Sequence, residues 1–244
     1  MSGQRNVVVT GAAQGLGLGI AKAFAAQGDH VIAVDLNDAG ATAAADAIGG
    51  EPLTLDITDA PSVAAAITEL VDRIGRIDVL VNNAGVVGMG GPLLDLDIAV
   101  LDAALAVNVR GTVLMSQAVG RAMVDAGGGV IVNVSSIGAR QPTPGLGHYE
   151  ATKAAVDAIT RTTAIELAPH GIRANAIAPG PVITPLTQGL VDNPEARAAW
   201  EARIPLGHVA SVEAIAPAAL FLASDAAAHI TGVSLPLDGG QLLT

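Results

Sequence analysis

The chain of 244 residues contains no cysteine, and aromatic residues make up only 2% of it, with one Tyr and one Trp. Without cysteine, disulfide bonds and thiolate metal sites are excluded. Since 51% of the residues are hydrophobic although aromatic side chains are scarce, Ala, Val, Leu and Ile must build the core. The 29 glycines indicate tight turns between the elements of structure.

Positive charge is also scarce, because 12 Lys and Arg stand against 23 Asp and Glu and give a net charge of -11. A surface of this sign repels phosphate backbones and anionic lipids, so we expect no binding to nucleic acid or to a membrane. No uninterrupted apolar run approaches the ~20 residues of a membrane span, and no signal peptide precedes the first strand. No group of His, Asp and Glu has convincing metal spacing. These features predict a cytoplasmic protein that needs no metal.

Short β-branched segments alternate along the chain with longer Ala-rich segments of helical character. The strand candidates are apolar almost throughout, which is typical of strands buried on both faces of a parallel sheet. These strands are predicted at 6–10, 30–35, 52–55, 79–82, 130–134, 173–177 and 234–237. Helices are predicted at 17–27, 41–48, 60–74, 96–124, 149–167 and 211–222.

This alternation predicts an α/β fold in which a doubly wound parallel sheet of about seven strands carries helices on both faces. No internal repeat or linker divides the chain, so we expect one domain over residues 1–244. The alternation breaks only at 179–203, a segment rich in Pro and polar residues around Trp200. A break of that length inside a compact domain suggests a binding loop, and we predict a substrate lid at about 184–203.

A glycine-rich segment follows the first predicted strand directly and leads into the first helix. Its glycines have the spacing G-x-x-x-G-x-G. A turn without side chains lets a pyrophosphate approach the backbone N–H groups at a helix N-terminus. The alternative is a turn that merely joins strand to helix, but its position favours a dinucleotide site. The candidate cofactor residues here are Gly11, Gln14, Gly15, Leu16 and Gly17.

Asp35 ends the second predicted strand, where a dinucleotide fold places the adenosine ribose. A carboxylate there accepts hydrogen bonds from the ribose hydroxyls and repels a 2′-phosphate, by about 4 kcal/mol at about 4 Å and an effective dielectric of about 20. No Arg or Lys follows it closely, so we predict NAD rather than NADP, although a solvated strand-end Asp remains the alternative. Asp56, with its neighbour Ile57, is a candidate for contact with adenine, and Asp56 could equally cap a helix.

Tyr149 and Lys153 stand four residues apart in a helical segment, so their side chains share one face. A free phenol has a pKa of about 10, too high for an effective base at neutral pH. An adjacent ammonium stabilises the phenolate, and about 3–4 kcal/mol of such stabilisation would bring the pKa near neutrality. The alternative is an exposed pair on a helix surface. Because Tyr149 is the only Tyr of the chain, we interpret the pair as an acid/base site.

Together these segments resemble the short-chain dehydrogenase/reductase family along essentially the whole chain. The resemblance implies a Rossmann-type single domain that transfers a hydride between a nicotinamide cofactor and an alcohol or carbonyl group, with Tyr149 as the acid/base. The matching pieces are residues 10–17, Asp56, Asn82-Asn83-Ala84-Gly85, Asn108, Ser136, Tyr149-x-x-x-Lys153, Pro179-Gly180 and Thr184.

The resemblance also implies roles for two further catalytic residues. Ser136, thirteen residues before Tyr149, would hydrogen-bond the substrate oxygen as charge develops there, and its spacing favours it over Ser135. Asn108 would hold a water that links Lys153 to solvent, although a buried, satisfied amide is the alternative. The remaining cofactor residues implied are Asn83, Ala84, Gly85, Pro179, Gly180, Val182 and Thr184.

Two residues depart from the pattern of many relatives, which carry small side chains beside the catalytic Tyr. Glu150 adds a negative charge that opposes Lys153 unless it points to solvent. His148 stands at the start of the helix, where we expect it to face water rather than to line the substrate pocket.

The predicted pocket walls, 88–94, 137–146 and the lid, are largely apolar. They favour a polyol, a sugar or a small apolar secondary alcohol or ketone as substrate. An NADPH-dependent 3-oxoacyl-type reductase is the alternative, which the acidic Asp35 disfavours. A non-catalytic NAD-binding regulator is a further alternative, disfavoured because Tyr149 and Lys153 are both present. The segment 235–240 resembles one that contributes to tetramer interfaces in the family, so we expect a homotetramer.

Overall fold

The computed structural model describes residues 4–244, apart from the side chains of residues 190 and 191. Its strands form one sheet in the order β3-β2-β1-β4-β5-β6-β7, and every neighbouring pair is parallel. The order reverses between β1 and β4, and ligands of such sheets bind outside the strand ends at this point. The strands are β1 Asn6–Thr10, β2 His30–Asp35, β3 Glu51–Thr54, β4 Val79–Asn82, β5 Gly129–Val134, β6 Ile172–Pro179 and β7 Ser234–Leu237.

Helices cover both faces of this sheet. Helices α1, α2 and α9 pack on one face, and α3, α5 and α6 pack on the other. The helices are α1 Gly15–Ala26, α2 Asp38–Ile48, α3 Ala60–Ile74, α4 Ile98–Ala104, α5 Thr112–Asp125, α6 Gly147–Leu167, α7 Gln188–Val191, α8 Pro194–Glu201 and α9 Val212–Leu222.

The central strand β1 shows why the strands are apolar throughout. Val7 and Val9 belong to the core under α1 and α9, whereas Val8 belongs to the opposite core under α3 and α5. All three are fully buried. Because each face of the strand packs against helices, no position is left for a solvated side chain. The predicted α/β doubly wound single domain is thereby confirmed.

The single long helix predicted at 96–124 is wrong in its interior. The chain forms α4, then a π-helical segment at Leu105–Gly111, and then α5. The hydroxyl of Thr112 donates to the carbonyl oxygen of Asn108 at 2.8 Å. A π-helical turn inserts one residue into the helical register, and the apolar pattern on either side does not reveal it.

Other boundaries differ by a few residues. Helix α2 begins at Asp38 rather than at residue 41, because the side chain of Asn37 accepts a hydrogen bond from the backbone N–H of Gly40 and caps the helix. Strand β3 lies one residue earlier than predicted, and β6 extends to Pro179.

One helical segment of the described chain, Ile98–Asp125, is long and apolar enough to cross a membrane by length and composition. Core helices of globular proteins satisfy the same criterion, and Met115, Val119 and Met123 of this segment are fully buried in the core. The absence of membrane binding stays a prediction.

Candidate active site

A cavity of about 780 Å³ opens beside the carboxyl ends of the central strands, where the strand order reverses. The cofactor and catalytic residues predicted from the sequence line this cavity, with Asn108 as the single exception. The glycine turn and Asp35 come from β1 and β2, whereas Ser136, Tyr149 and Lys153 follow β5 and belong to α6 or the loop before it. The topology therefore brings together residues that stand more than a hundred positions apart.

The glycine turn has the backbone conformation that a phosphate site requires. Gly11 and Gly15 have φ angles of 64° and 56°, in the left-handed region that glycine adopts without strain. A Cβ atom on Gly17 would lie 2.1 Å from the carbonyl oxygen of Gly11. Gln14, the N-cap of α1, makes no side-chain capping bond. The first N–H groups of the helix therefore remain available for an anion.

Asn83, which directly follows strand β4, fixes this turn. Its side-chain amide donates to the carbonyl oxygens of Thr10 and Gly11 at 2.9 and 3.1 Å. In return, the hydroxyl of Thr10 accepts hydrogen bonds from the backbone N–H groups of Asn83 and Ala84, both at 3.0 Å. The turn is thus tied to the end of β4 by four hydrogen bonds.

Asp35 is oriented by two backbone donors at the far end of the cavity. Its Oδ2 accepts from the N–H of Ala13 and its Oδ1 from the N–H of Asn37, both at 3.0 Å. Among the described residues that line the cavity, Lys153 is the only Lys or Arg, and it comes from a different part of the site. The end of the cavity at Asp35 therefore offers no side-chain cation to a phosphate.

Asp56 also borders the cavity, but it does not cap a helix. Its Oδ1 accepts hydrogen bonds from the backbone N–H and the hydroxyl of Thr58, whereas Asp59 is the N-cap of α3. The capping alternative is therefore wrong. Ile57 is 7% exposed and packs directly against Gly111. A Cβ atom on Gly111 would lie only 2.6 Å from the side chain of Ile57.

Ser136, Tyr149 and Lys153 meet at the other end of the cavity. The Nζ atom of Lys153 lies 5.6 Å from the centre of the Tyr149 ring and donates to the carbonyl oxygen of Val134 at 2.8 Å. The hydroxyl of Ser135 donates to the backbone oxygen of Lys153 and is thereby engaged with α6. Ser136 instead lies beside Tyr149, and its Oγ accepts a hydrogen bond from the backbone N–H of Gly138 at 3.1 Å.

The expected lowering of the Tyr149 pKa is wrong for this structure. The pKa of Tyr149 is raised to about 12, chiefly by burial; the neighbouring Ser136 hydroxyl opposes this rise and the charge of Glu150 adds to it. Burial also lowers the pKa of Lys153 to about 8, which the carboxylate of Asp157 opposes. Desolvation is the largest cause of both shifts, although Lys153 is 5% exposed whereas Tyr149 is partly exposed at the cavity wall. At neutral pH the pair is a neutral phenol beside an ammonium.

Asn108 is a buried amide with both polar atoms bonded. Its Oδ1 accepts from the N–H of Val86, and its Nδ2 donates to the carbonyl oxygen of Val86 and to the hydroxyl of Thr152, at 2.8–2.9 Å. A Cβ on Gly85 would lie 3.2 Å from Asn108 Oδ1 and 3.5 Å from Lys153 Nζ. The alternative given for Asn108, a buried amide with satisfied hydrogen bonds, is therefore confirmed, and Asn108 does not line the cavity.

The two departures from the family pattern are both inside the protein. His148 is 4% exposed, and its Nε2 lies 2.7 Å from the carbonyl oxygen of Val87, so the expectation that it faces water is wrong. Glu150 is 9% exposed and lines the cavity, and its Oε1 accepts from the backbone N–H of Thr143 at 2.6 Å. Its carboxylate is therefore part of the pocket, which the sequence interpretation did not predict.

The predicted lid contributes to the cavity wall. The cavity is lined by residues 184–187, Gly189 and Trp200. The guanidinium of Arg203 stacks over the Trp200 ring, 4.7 Å from the ring centre. Within residues 4–244, no group of three or more His, Asp or Glu could hold a metal ion.

The doubly wound sheet, the glycine turn and the cavity define a dinucleotide-binding α/β protein. A sequence-family model described as enoyl-(acyl carrier protein) reductase matches residues 11–241. D-threitol dehydrogenase of Mycolicibacterium smegmatis is 43% identical over 97% of this chain and 92% of its own length. The chain belongs to the short-chain dehydrogenase/reductase family, and it is an oxidoreductase of that type with a nicotinamide cofactor.

Two solved structures show the same fold with different cofactors. A gluconate 5-dehydrogenase from Burkholderia cenocepacia in complex with NADP and tartrate is 33% identical, with a TM-score of 0.95 over 100% of this chain and 97% of that one. A 3-ketoacyl-(acyl-carrier-protein) reductase from Brucella melitensis complexed with NADH is 37% identical, with a TM-score of 0.90 over 98% of both chains.

Proposed function

We propose that the protein transfers a hydride between NAD(H) and a secondary alcohol or ketone, within a polyol, a sugar or a small apolar alcohol. The observation that carries the proposal is the placement of Ser136, Tyr149 and Lys153 at one end of a cavity whose other end holds Asp35. The similarity to a D-threitol dehydrogenase supports a polyol substrate. The remaining predicted cofactor residues would hold the dinucleotide between the two ends.

The three side chains have distinct roles in this proposal. Tyr149, neutral at rest, donates a proton to the substrate oxygen in reduction and takes it back in oxidation. Ser136 donates a hydrogen bond to the same oxygen. Lys153 stabilises negative charge on the phenol oxygen, while Asn108 supports Lys153 and its link to solvent. The nicotinamide supplies or accepts the hydride.

NAD is proposed over NADP because of the charge of Asp35. A 2′-phosphate at about 4 Å from this carboxylate would be repelled by about 4 kcal/mol at an effective dielectric of about 20, which corresponds to about a thousandfold in affinity. The relatives are divided, because one solved structure contains NADP and another NADH. The cofactor preference is therefore argued from Asp35 itself.

A panel of polyols, sugars and simple secondary alcohols tests the proposal, with NAD or NADP and the absorbance of the reduced nicotinamide as the signal. We expect turnover with NAD, at a kcat/KM at least about a hundredfold above that with NADP. Asp35→Ser should lower the ratio of kcat/KM with NAD to kcat/KM with NADP. Asp46→Ser, which removes an exposed carboxylate from α2, should leave this ratio unchanged. Turnover with NADP alone would contradict the cofactor proposal, and no turnover of any alcohol or ketone would contradict the function.

A second candidate is the NADPH-dependent reduction of a 3-oxoacyl group. The structure of a 3-ketoacyl-(acyl-carrier-protein) reductase favours the 3-oxoacyl substrate, but it contains NADH rather than NADPH. Asp35 and the net charge of -11 oppose this second candidate, because an acidic carrier and a 2′-phosphate would both be repelled. Faster reduction of acetoacetyl thioesters with NADPH than of any free ketone with NADH would favour this second candidate.

We further propose a cytoplasmic homotetramer. Within the described residues, β7 pairs only with β6 and leaves a sheet edge near the segment 235–240 that an identical subunit could cover. Light scattering on the purified protein would measure four chains per particle if the proposal is right, and one chain if it is wrong.

A further inference from the structure

Glu150 is a carboxylate in the cavity wall that the proposed roles leave unused. It follows Tyr149 directly on α6 and is 9% exposed. One oxygen accepts from the backbone N–H of Thr143. The other makes no hydrogen bond within the described residues, and the residue lines the cavity. No ion pair of the described residues includes Glu150.

The side chain is held in place from two directions. A Cβ on Gly138 would lie 3.1 Å from Glu150 Cγ, so the loop after β5 packs closely against this side chain. The short hydrogen bond to Thr143, at 2.6 Å, fixes one carboxylate oxygen. The direction of the free oxygen is thereby restricted before any ligand arrives.

A carboxylate with so few partners favours a hydrogen-bond donor in the cavity, because burying a charge costs free energy unless it is hydrogen-bonded. The nearby amide of Gln141 is engaged elsewhere. It reaches the backbone oxygens of Gln241 and Thr244 at 3.5 Å, and its own oxygen accepts from the amide of Gln241 at 3.0 Å. The donor to the second oxygen is therefore solvent water in the cavity, which the hydroxyl of a bound molecule can replace.

We propose that Glu150 accepts a hydrogen bond from a second hydroxyl of a neutral polyhydroxy substrate, and that it selects against substrates with a carboxylate in that place. Side chains of consecutive helical residues diverge by about 100°. The oxygen that meets Tyr149 and the hydroxyl that meets Glu150 therefore belong to different carbons of one molecule. The inference rests on the proposed function and assigns its site a preference for diols over monohydric alcohols.

Four substrates of equal carbon number test this selection: 2,3-butanediol, 2-butanol, 3-hydroxybutyrate and 3-amino-2-butanol. Glu150→Gln keeps an acceptor for Thr143 but removes the charge, and Glu150→Leu removes both. Relative to 2-butanol, we expect kcat/KM for the diol to fall about 5- to 10-fold in the Gln variant and about 10- to 100-fold in the Leu variant. Both variants should gain activity on 3-hydroxybutyrate.

The measured quantity is the ratio of kcat/KM for the diol to kcat/KM for the monohydric alcohol. This ratio is used because removing Glu150 also changes the pKa of Tyr149, which affects every substrate alike. Glu166→Gln is the matched control, since it removes an exposed carboxylate from the same helix. An unchanged ratio in both Glu150 variants would overturn the inference. A loss confined to the amino alcohol would also overturn it, because the carboxylate would then select a cation.

Binding separates a failure of this inference from a failure of the proposed function. If neither these four compounds nor any alcohol or ketone of the wider panel reacts, the proposed function fails, and calorimetry of 2,3-butanediol with the NAD-loaded protein still tests Glu150. We expect the wild type to bind the diol about tenfold or more tightly than Glu150→Leu does. Equal affinities would refute the inference.

Discussion

Lys153→Met should change how the stability of the protein depends on pH. Burial lowers the pKa of Lys153 from the ordinary value of 10.5 to about 8. Below about pH 8 the ammonium is present in both the folded and the unfolded chain, and the fold bears the full cost of its burial. That cost disappears as the pH rises towards 10.5, since only the unfolded chain remains protonated in this window.

The magnitude follows from these two pKa values. Between about pH 7 and about pH 9.5, the free energy of unfolding of the wild type should rise by about 2 kcal/mol relative to Lys153→Met. Urea unfolding at a series of pH values measures this difference, and other titrating groups cancel in the subtraction. Lys22→Met, which removes the exposed Lys of α1, should give no such slope. If the free energy of unfolding of the wild type and of Lys153→Met changed with pH in the same way, the burial of a charged Lys153 would be refuted.

Two further variants test the two ends of the cavity. Gly17→Ala places a Cβ 2.1 Å from the Gly11 oxygen. It should therefore destabilise the fold by about 1–3 kcal/mol and weaken NADH binding in a fluorescence titration. Gly91→Ala, whose Cβ would have no atom within 4 Å, should change neither stability nor binding. Asp157→Asn removes the carboxylate that raises the pKa of Lys153, so Lys153 should lose its proton at a lower pH. In a pH profile of kcat/KM for ketone reduction, the decline at high pH should therefore move to a lower pH. A move to a higher pH would contradict the electrostatic role assigned to Asp157.

The sheet and the glycine turn could be predicted because their signals are local. Strands buried on both faces require apolar runs such as 79–82, and the turn at Gly11 requires a residue that tolerates a positive φ angle. The spacing of Tyr149 and Lys153 places them on one helix face without knowledge of the rest of the chain. Each of these inferences uses only neighbours in sequence.

The remaining features depend on contacts between distant segments. His148 is buried because the loop at Val87 covers it, and Glu150 enters the pocket because Thr143 and Gly138 hold it there. The direction of the Tyr149 pKa depends on burial, which no spacing in the sequence reports. Helical periodicity likewise could not distinguish the π-helical segment from a continuous α-helix.

The central claim is that the phenol of Tyr149 exchanges a proton with the substrate oxygen. Single-turnover oxidation of NADH by a ketone substrate tests it most directly, in the wild type and in Tyr149→Phe. We predict a single-turnover rate that is lower by about 10²–10⁴-fold in Tyr149→Phe. The dissociation constant for NADH and the circular dichroism spectrum of the folded protein should be unchanged. Equal single-turnover rates in the two proteins would contradict it.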